Sequence, residues 1–493
     1  MESPARIPFL ERRSAWWFVS ALTVVLFANG NLPWHLDDYD QAKQAFTSFE
    51  MVEQGHWLYQ HTPNGWVATK PPLVGWISAG LFAVIRSWDV AWRLPSLVAG
   101  LALLFLIARS AAIYGRAPAL VAAGAFGLNL FTPRLATLVR TDMALALIVF
   151  AIGLLIFEKI RKGEVWSGKD RIALFLLLSA AMLIKGPIVY AFLLPGIVAF
   201  QWRARGSGEA GTAWSGWWPW MASLAVFAAW ITGGILFVPE FTEHVVLREF
   251  AGRFGGDMHR AQPFYFYVPH LLHRLAPWSL LLILLPVLAI KESRLKIRDE
   301  LRAVSPETFW LVAWSLGGLL VMSFVPSKRV DRIFPIVPPL CLLLAAQVAA
   351  LQKREKLRQV AMAFCTIALL LACLITTGYA TRRIAIAHRE KRDAFAAFGQ
   401  AVRTKAAAHN WQIAVVGRED EGMLLYLRQT EFLDPDLAAV KWNAGYLDGL
   451  VVPEEELANL LPRLPGAAPS TIAMSGPAGN YRNRYIFLVC SGL

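Results

Sequence analysis

Apolar runs close to the length of a membrane-spanning helix recur along the chain from Trp16 to Tyr379. A helix needs about 20 apolar residues to cross a hydrocarbon core of roughly 30 Å. The pattern predicts spans near 15–33, 94–113, 117–132, 143–158, 172–186, 187–202, 216–238, 270–290, 309–325, 333–351 and 360–380, with a further short run at 72–86. The chain is therefore predicted to be a polytopic membrane protein rather than a series of soluble domains.

Loops rich in Lys and Arg predict the orientation of these spans, because such loops stay in the cytoplasm. They lie at 109–116, 159–171, 203–205, 291–302 and 353–358, each separated from the next by two spans. All five loops lie on the cytoplasmic side only if the segment 72–86 does not cross the membrane. That segment covers roughly 22 Å as a helix, which is too short, so we expect an interfacial helix. The prediction is about 11 spans, with an uncleaved first span, the N-terminus inside and the C-terminus outside.

The composition changes to that of a soluble α/β unit from Arg382 onward. Strands are predicted at 412–416, 449–452 and 485–489 from their apolar and alternating patterns. Helices are predicted at 386–408 and at 454–462, where a proline and acidic residues occupy a first turn. We therefore divide the chain into a transmembrane domain, 1–381, and an extracytoplasmic α/β domain, 382–493.

The composition supports the membrane prediction and narrows the classes of partner. Of the 493 residues, 56% are hydrophobic and 17% are charged, against about 25% charged in a soluble domain. The net charge of +13 sits mostly in short loops between apolar runs, as membrane topology requires, so we expect a lipid bilayer and no nucleic acid as partner. Cys490 is the only cysteine in the tail, which excludes a disulfide within it.

Charged residues gather in the loops that are predicted to be outer, which indicates that function faces outward. The first of these loops carries Asp37, Asp38 and Asp40 directly after a span. Carboxylates grouped at a membrane helix end raise one another's pKa values, which suits a general base or a cation-organising site. A solvated helix cap is the structural alternative. Lys70, before Pro71 and Pro72, could either bind a lipid phosphate or snorkel.

Three further outer segments carry candidate residues. Arg140 and Asp142 lie at one span mouth and Lys185 at another, where charge is costly unless it is paired or functional; an Arg140–Asp142 ion pair is the structural alternative. The loop 326–332 holds three cations where positive charge is disfavoured, which indicates an anionic ligand. The loop 239–269 offers one weak metal candidate and two aromatic residues that also suit an interfacial belt; these are His259, Tyr265 and Tyr267.

Taken in order, these segments resemble the GT-C glycosyltransferases of the bacterial aminoarabinose-transferase and protein O-mannosyltransferase type, which use polyprenyl-phosphate sugars. The resemblance covers about residues 15–345 and rests on an ordered set of motifs. They are Asp40 followed by a helix and Gly55-His56-Trp57, Lys70-Pro71-Pro72, Arg93-Leu94-Pro95-Ser96, Arg140-Thr141-Asp142-Met143, Lys185-Gly186-Pro187, Gly252-Arg253-Phe254, Pro263-Phe264-Tyr265-Phe266-Tyr267, Pro277-Trp278-Ser279 and Ser327-Lys328.

The resemblance implies a role for several of these residues. It assigns the catalytic carboxylate to Asp40, a second loop acid to Asp142, and donor-phosphate binding to Lys70. Further phosphate or headgroup contacts would come from Arg260, Lys328, Arg329 and Arg332, and other substrate contacts from Asp37, Asp38, Lys185, His259, Tyr265 and Tyr267. The resemblance implies no nucleotide cofactor, because the activated sugar is borne by a lipid.

This chain departs from the family pattern at three places. Gln41 follows Asp40 where the family often has Glu, Thr69 precedes Lys70 where the family often has Glu, and Arg332-Ile333-Phe334 stands where the family frequently has Tyr. A divalent metal is the one cofactor that the sequence leaves open. A family metal site that uses the Glu before Lys70 lacks that ligand here, because the residue is Thr69. His259 therefore loses the residue with which it would share a metal ion.

The leading hypothesis is a transferase in the bacterial inner membrane that moves a sugar from undecaprenyl phosphate to a lipid, glycan or protein acceptor at the periplasmic face, with inversion. One alternative is a transporter or flippase for an anionic lipid-linked substrate, although transporters place charge near the middle of the membrane. A second alternative is a degenerate transferase that acts as an assembly partner.

Overall fold

The fold is an α-helical bundle of membrane type, followed by a small α/β unit. The computed structural model describes residues 8–36, 38–205, 212–251, 261–293, 304–417, 420–469 and 484–490. The first half of the bundle contains α1 (Arg13–Asn29), α2 (Tyr39–Gln54), α3 (Leu73–Ile85), α4 (Trp88–Ala111), α5 (Arg116–Gly127), α6 (Thr132–Leu135), α7 (Asp142–Lys162), α8 (Gly168–Lys185), α9 (Ile188–Ala204) and α10 (Trp218–Phe237).

The second half begins after a π-helical segment, Thr242–Ala251. It contains α11 (Tyr267–Arg274), α12 (Trp278–Ser293), α13 (Pro306–Phe324), α14 (Val337–Gln352) and α15 (Glu355–Arg389). Short 3-10 segments lie at Phe9–Glu11, Pro63–Gly65, Ala112–Tyr114, Phe264–Phe266 and Val330–Ile336.

A helix occupies each of the eleven predicted span positions, but the helices differ in length and polarity. Within the described ranges, six helices are long and apolar enough to cross a membrane, and a bent pair at 264–292, with an angle of 97°, raises the number to seven. The other predicted positions hold shorter or more charged helices, such as the 12-residue α5. The segment predicted to be interfacial forms α3, which has 13 residues, or roughly 20 Å.

Small residues allow the central helices to approach closely, as is usual between helices in a membrane. A Cβ atom added at Gly317 of α13 would lie 3.0 Å from the backbone nitrogen of Gly196 on α9. A Cβ atom added at Gly153 of α7 would lie 2.0 Å from the ring of Trp314. The indole nitrogens of Trp278 and Trp310 donate to buried backbone carbonyls, which satisfies their only polar atoms.

The C-terminal unit contains a five-stranded mixed sheet with the strand order β2-β1-β3-β5-β4. Its strands are β1 (Ile413–Val416), β2 (Phe432–Leu433), β3 (Gly449–Pro453), β4 (Ala467–Pro469) and β5 (Tyr485–Cys490), and its helices are α16 (Ala394–His409), α17 (Glu421–Leu427), α18 (Pro435–Asn443) and α19 (Glu454–Leu460), followed by a 3-10 segment, Leu461–Arg463. β1 pairs in parallel with β2 and β3, and β5 pairs antiparallel with β3 and β4.

The three predicted strands and the predicted helix at 454–462 are present. The predicted helix at 386–408 is instead divided between the end of α15 and α16, with a break at 390–393. The short strands β2 and β4 and the helices α17 and α18 were not predicted. The predicted domain boundary at 381–382 lies inside α15, which continues without a break to Arg389. The division of the chain into 1–381 and 382–493 stays a prediction.

The helix α2 joins the bundle to the C-terminal unit. On one face, its Ala42, Ala45, Phe46 and Phe49 are buried in a cluster that includes side chains of α16 and α17. The backbone N–H of Leu36, just before α2, donates to the Tyr426 hydroxyl on α17 at 2.8 Å. The C-terminal unit is therefore packed directly against the segment that carries the candidate carboxylates.

Candidate active site

A cavity of about 710 Å³ lies at the end of the bundle where the loops predicted to be outer converge. Its wall is built from segments that are distant in the sequence: α2, the loop up to Lys70, the mouths of α7 and α8, and the loop before α14. The charged side chains of the wall are Asp40, Lys43, Lys70, Arg140, Asp142, Lys185, Arg329, Asp331, Arg332 and Glu421. These are six cations and four carboxylates, so the cavity attracts anions.

The first turn of α2 fixes the position of Asp40. The side chain of Asp38 caps the helix by accepting a hydrogen bond from the Asp40 N–H at 3.0 Å, as N-cap aspartates do. Asp40 therefore lies in the first helical turn, where the helix dipole favours a negative charge. The residues Asp40, Lys43, Gln44 and Thr47 all line the cavity, because positions three and four apart share one helix face.

Two arginines hold the Asp40 carboxylate. The Arg329 guanidinium lies 2.6 Å from Asp40 Oδ2, and that of Arg140 lies 3.3 Å from the same atom. Burial raises the pKa of Asp40, but the hydrogen bond and charge of Arg329, together with the charges of Arg140 and Lys70, lower it by more. The pKa of Asp40 therefore lies below its ordinary value of 3.8, and the group is ionised at neutral pH.

The same arginines connect Asp40 to two other acids. Arg140 is also paired with Asp38 at 3.2 Å and with Asp331, and Arg329 lies 3.2 Å from Asp331. The result is a network of three carboxylates and two guanidinium groups. An Arg140–Asp142 ion pair, the structural alternative considered from the sequence, is not formed: Asp142 is instead paired with Lys185 at 2.5 Å.

Lys70 contacts a neutral side chain of the cavity wall rather than a carboxylate. Its Nζ atom lies 3.3 Å from Gln44 Oε1, and no carboxylate of the described residues is within ion-pair distance of it. Burial and the charge of Lys185 lower the pKa of Lys70 to about 8, against the opposing effect of Asp40 and Asp142. Lys70 is therefore mostly charged at pH 7, without a fixed counter-ion.

The predicted site residues fall into three groups. The structure brings Asp40, Lys70, Asp142, Lys185, Arg329 and Arg332 into the cavity wall, and Asp38 into ion-pair contact with Arg140. Three others do not line it: Lys328 is buried and donates to the Gln262 carbonyl at 2.9 Å, Tyr267 is buried in the bundle core, and Tyr265 is exposed. Asp37, His259 and Arg260 lie outside the described residues.

The structure also shows the contacts of the residues at which this chain departs from the family pattern. The side-chain oxygen of Gln41 accepts a hydrogen bond from the Val139 N–H at 3.2 Å, which ties α2 to the loop that carries Arg140. Thr69 lines the cavity beside Lys70. Arg332 donates to the Ser327 carbonyl at 2.7 Å, so it also holds the shape of its own loop.

Several cavity residues were not predicted from the sequence. Lys43 lies three positions after Asp40, so the helical spacing of α2 could have indicated it. Gln44 and Thr47 could have been found in the same way. Glu421 comes from α17 of the C-terminal unit, and no sequence signal connects it with the first loop.

A polytopic helical bundle with such a cavity at one end and a small α/β unit packed against it has the GT-C architecture. Residues 69–232 match the family described as dolichyl-phosphate-mannose-protein mannosyltransferase. The solved structure of ArnT from Cupriavidus metallidurans bound to undecaprenyl phosphate aligns with a TM-score of 0.68 over 97% of this chain and 98% of that chain, at 16% identity. An Archaeoglobus fulgidus oligosaccharyltransferase aligns with a TM-score of 0.54 over 90% and 69%, at 12% identity.

Sequence comparison finds relatives with one shared description, undecaprenyl phosphate-alpha-4-amino-4-deoxy-L-arabinose arabinosyl transferase. The protein from Aeromonas salmonicida is 33% identical over 141 residues, which are 28% of this chain and 24% of that protein. The protein from Edwardsiella ictaluri is 25% identical over 361 residues, 69% of this chain and 60% of that protein. The match thus spans about a quarter of the Aeromonas protein. These similarities support the resemblance of this chain to the bacterial aminoarabinose transferases and protein O-mannosyltransferases.

Proposed function

We propose that this protein is a membrane glycosyltransferase that moves a sugar from an undecaprenyl phosphate carrier to a lipid, glycan or protein acceptor, with inversion at the anomeric carbon. The observation that carries the proposal is that one cavity wall contains both a cation without a fixed counter-ion and an ionised carboxylate. Lys70 is a cation without a fixed counter-ion, and Asp40 is an ionised carboxylate in the same wall. Transfer from a lipid phosphate needs these two groups, one for the departing phosphate and one for the acceptor.

In the donor half of the reaction, the cations of the cavity would bind the lipid phosphate. A lipid phosphate is already a good leaving group, so catalysis consists of positioning it and stabilising its charge. Lys70 would hold the phosphate as a point charge, with Lys43 and Arg329 within the same wall. Charge-assisted hydrogen bonds of this kind contribute about 1.5–3 kcal/mol each. The Cupriavidus ArnT structure, solved with bound undecaprenyl phosphate, supports the choice of carrier.

The acceptor half depends on Asp40. While Arg329 and Arg140 contact its carboxylate, the depressed pKa makes Asp40 a weak base. A bound phosphate would compete with Asp40 for Arg329, and loss of that contact raises the pKa of the carboxylate. Donor binding would thereby activate the base. Asp40 would take the proton of a hydroxyl acceptor; if the acceptor is a phosphate, as on lipid A, Asp40 would orient it instead.

Asp142 is placed to act with Lys185 in this scheme. The two side chains are paired at 2.5 Å and both line the cavity, so Asp142 would keep the second lysine directed at the bound substrate. Glu421 of the C-terminal unit also lines the cavity. The C-terminal unit would therefore contact the acceptor.

The location of the reaction is inferred from the topology. Along the sequence, the Lys- and Arg-rich loops alternate with the loops that line the cavity, and by the positive-inside rule this pattern supports a cavity outside the cytoplasm. We propose the inner membrane, with the cavity and the C-terminal unit on the periplasmic side. The charges gather at one end of the bundle rather than at its middle, which disfavours the transporter.

The proposal is tested by mass spectrometry of polyprenyl-phosphate sugars. Cells that lack the gene are complemented with the wild type, with Asp40→Asn, or with Asp436→Asn, an exposed carboxylate of the C-terminal unit. We expect one carrier sugar to accumulate with Asp40→Asn and to be consumed with the wild type and Asp436→Asn. Equal profiles for all three, at equal protein levels in the membrane, would refute the role of Asp40 and favour the transporter or the assembly partner.

A further inference from the structure

Three potential metal ligands meet at the C-terminal end of α2, away from Asp40. They are the carboxylate of Glu50, near the end of α2, and the imidazoles of His56 and His61, in the loop that follows. One ligand atom from each lies within 4.8 Å of the other two. The Glu50 carboxylate contacts His56 Nδ1, and its Oε1 atom lies 3.8 Å from His61 Nδ1. The centroids of the two imidazole rings are 4.1 Å apart.

The local fold brings these residues together although six and five positions separate them. Gly55 ends α2 in the left-handed region, with φ 84°, a conformation that glycine adopts without strain, so the chain turns back along the helix. A short antiparallel bridge joins His61 to Val67, and the Ala68 N–H donates to the Gln60 carbonyl at 2.7 Å. The position of His61 is therefore held by backbone hydrogen bonds on both sides.

The polar groups of this cluster are only partly satisfied by the protein. The Glu50 side chain is 2% exposed, and among the described residues its Oε2 atom and the Nδ1 atom of His61 have no hydrogen-bond partner. No lysine or arginine in the described ranges forms an ion pair with Glu50. A buried carboxylate without a cation carries a large desolvation cost, and a divalent cation would offset it.

We propose that Glu50, His56 and His61 form a binding site for a divalent transition-metal ion, with Zn²⁺ as the preferred occupant. Two imidazoles and one carboxylate are a ligand set that Zn²⁺ uses, with a further position open to water. His56 is 45% exposed, so water can reach the open position. The two nitrogen ligands disfavour Mg²⁺ and Ca²⁺, which prefer oxygen.

The placement of the site indicates what the ion would do. Glu50 continues the face of α2 that lines the cavity, one turn beyond Thr47, and lies roughly 15 Å along the helix axis from Asp40. The ion would therefore not contact the reacting carboxylate. Gln60 and Thr62, on either side of His61, line the cavity. The ion would fasten the loop that leads to Lys70 onto α2, and so hold the cavity wall in place.

The site is tested by metal binding to the full chain, which needs no donor and is independent of the proposed transferase reaction. Purified protein without a histidine tag, in lipid nanodiscs, is loaded with ZnCl₂, dialysed, and measured by inductively coupled plasma mass spectrometry. We expect about one Zn²⁺ per chain in the wild type and in His409→Asn, a control at the exposed end of α16. His56→Ala and the double variant Glu50→Gln, His61→Asn should lose the bound Zn²⁺. Loss of a residue that hydrogen-bonds a metal ligand lowers metal affinity roughly 10- to 100-fold, and loss of a ligand itself should lower it further.

A second measurement guards against misfolding of the double variant. The His56 side chain is exposed, so His56→Ala should fold normally, and Zn²⁺ should raise the unfolding temperature of the wild type but not that of His56→Ala. The proposal is overturned if the wild type retains no more Zn²⁺ than the double variant, or if His56→Ala retains and responds to Zn²⁺ as the wild type does.

Discussion

The Arg329 guanidinium and the Asp40 carboxylate lie 2.6 Å apart, although Asp40 belongs to the first half of the bundle and Arg329 to the second. This contact determines the charge state of the candidate catalytic group, because it supplies both the hydrogen bond and the largest favourable charge next to Asp40. It also joins the first outer loop to the loop before α14. Removing the contact therefore has consequences for stability and for acid–base behaviour.

The first prediction concerns Arg329→Ala and pH. A carboxyl group whose pKa is depressed in the folded state stabilises the fold above its unfolded pKa and loses that contribution as the pH falls through the folded pKa. We expect Arg329→Ala to unfold at a lower temperature than the wild type at pH 7, with a difference that shrinks below pH 3.8, the ordinary pKa of Asp40. Thermal unfolding of both proteins in detergent, from pH 7 to pH 3, measures this difference in unfolding temperature.

A suitable control is Arg161→Ala, which removes a half-exposed ion pair with Glu158 on α7. Such surface pairs contribute about 0–1 kcal/mol, so this variant should show a small and nearly constant effect. A deficit for Arg329→Ala that stays the same from pH 7 to pH 3 would show that the ion pair with Asp40 is not its source.

The second prediction concerns Lys70 and donor binding. Loss of a charge-assisted contact to phosphate costs about 1.5–3 kcal/mol, so Lys70→Ala should weaken binding of undecaprenyl phosphate by roughly ten- to a hundredfold. Because the pKa of Lys70 is about 8 in the free protein, the affinity of the wild type should fall as the pH rises above that value. Lys70→Arg should bind without this decline, since arginine keeps its charge.

Binding is measured by titration of nanodisc-embedded protein with undecaprenyl phosphate at pH 6.5 to 9.5. Lys162→Ala, on the exposed last turn of α7, serves as the control and should match the wild type. If Lys70→Ala binds the lipid normally while it remains folded, Lys70 is not a donor contact.

The sequence predicts the membrane fold better than it predicts the site. Helix positions follow from apolar runs, which depend on local composition alone, and β1, β3 and β5 follow from alternation within single segments. β2 has two residues, too few for any period. Arg140 and its partners Asp38, Asp40 and Asp331 come from three segments that meet only after the bundle has packed, and a pattern along the chain carries no information about that meeting.

The same reasoning explains the metal cluster. The sequence contains no paired His and Glu at a recognised metal spacing, because Glu50, His56 and His61 meet through the turn at Gly55 rather than along one helix. By contrast, Lys43 lies on the helix face of Asp40 and could have been found from spacing alone.

The third prediction concerns the contact between α17 and the first loop. In Tyr426→Phe, the buried N–H of Leu36 loses the hydroxyl that accepts its hydrogen bond at 2.8 Å. Leaving a buried donor unsatisfied costs about 1–3 kcal/mol, so the variant should be less stable and more easily cleaved by protease near residue 390. Tyr446→Phe, at an exposed position, should resemble the wild type. Equal stability of the two variants would contradict a structural role for this hydrogen bond.

The fourth prediction concerns helix packing at Gly153. A methyl group there would meet the Trp314 ring at 2.0 Å, so Gly153→Ala should force α7 and α13 apart and destabilise the bundle by about 1–3 kcal/mol. Gly378, on α15, has open space around an added Cβ atom. Gly378→Ala should therefore be neutral or stabilising, since alanine favours helix. Unfolding temperatures of the two variants decide the prediction, which fails if Gly153→Ala is as stable as Gly378→Ala.

The cavity that contains Asp40 is lined by residues from both ends of the chain, since Glu421 of α17 contributes to the same wall. The ribosome synthesises the first loop long before it reaches this helix. The nascent chain therefore has no complete cavity until synthesis is nearly finished. A product truncated after the last span would have an open cavity, and the apolar face of α2 would be uncovered.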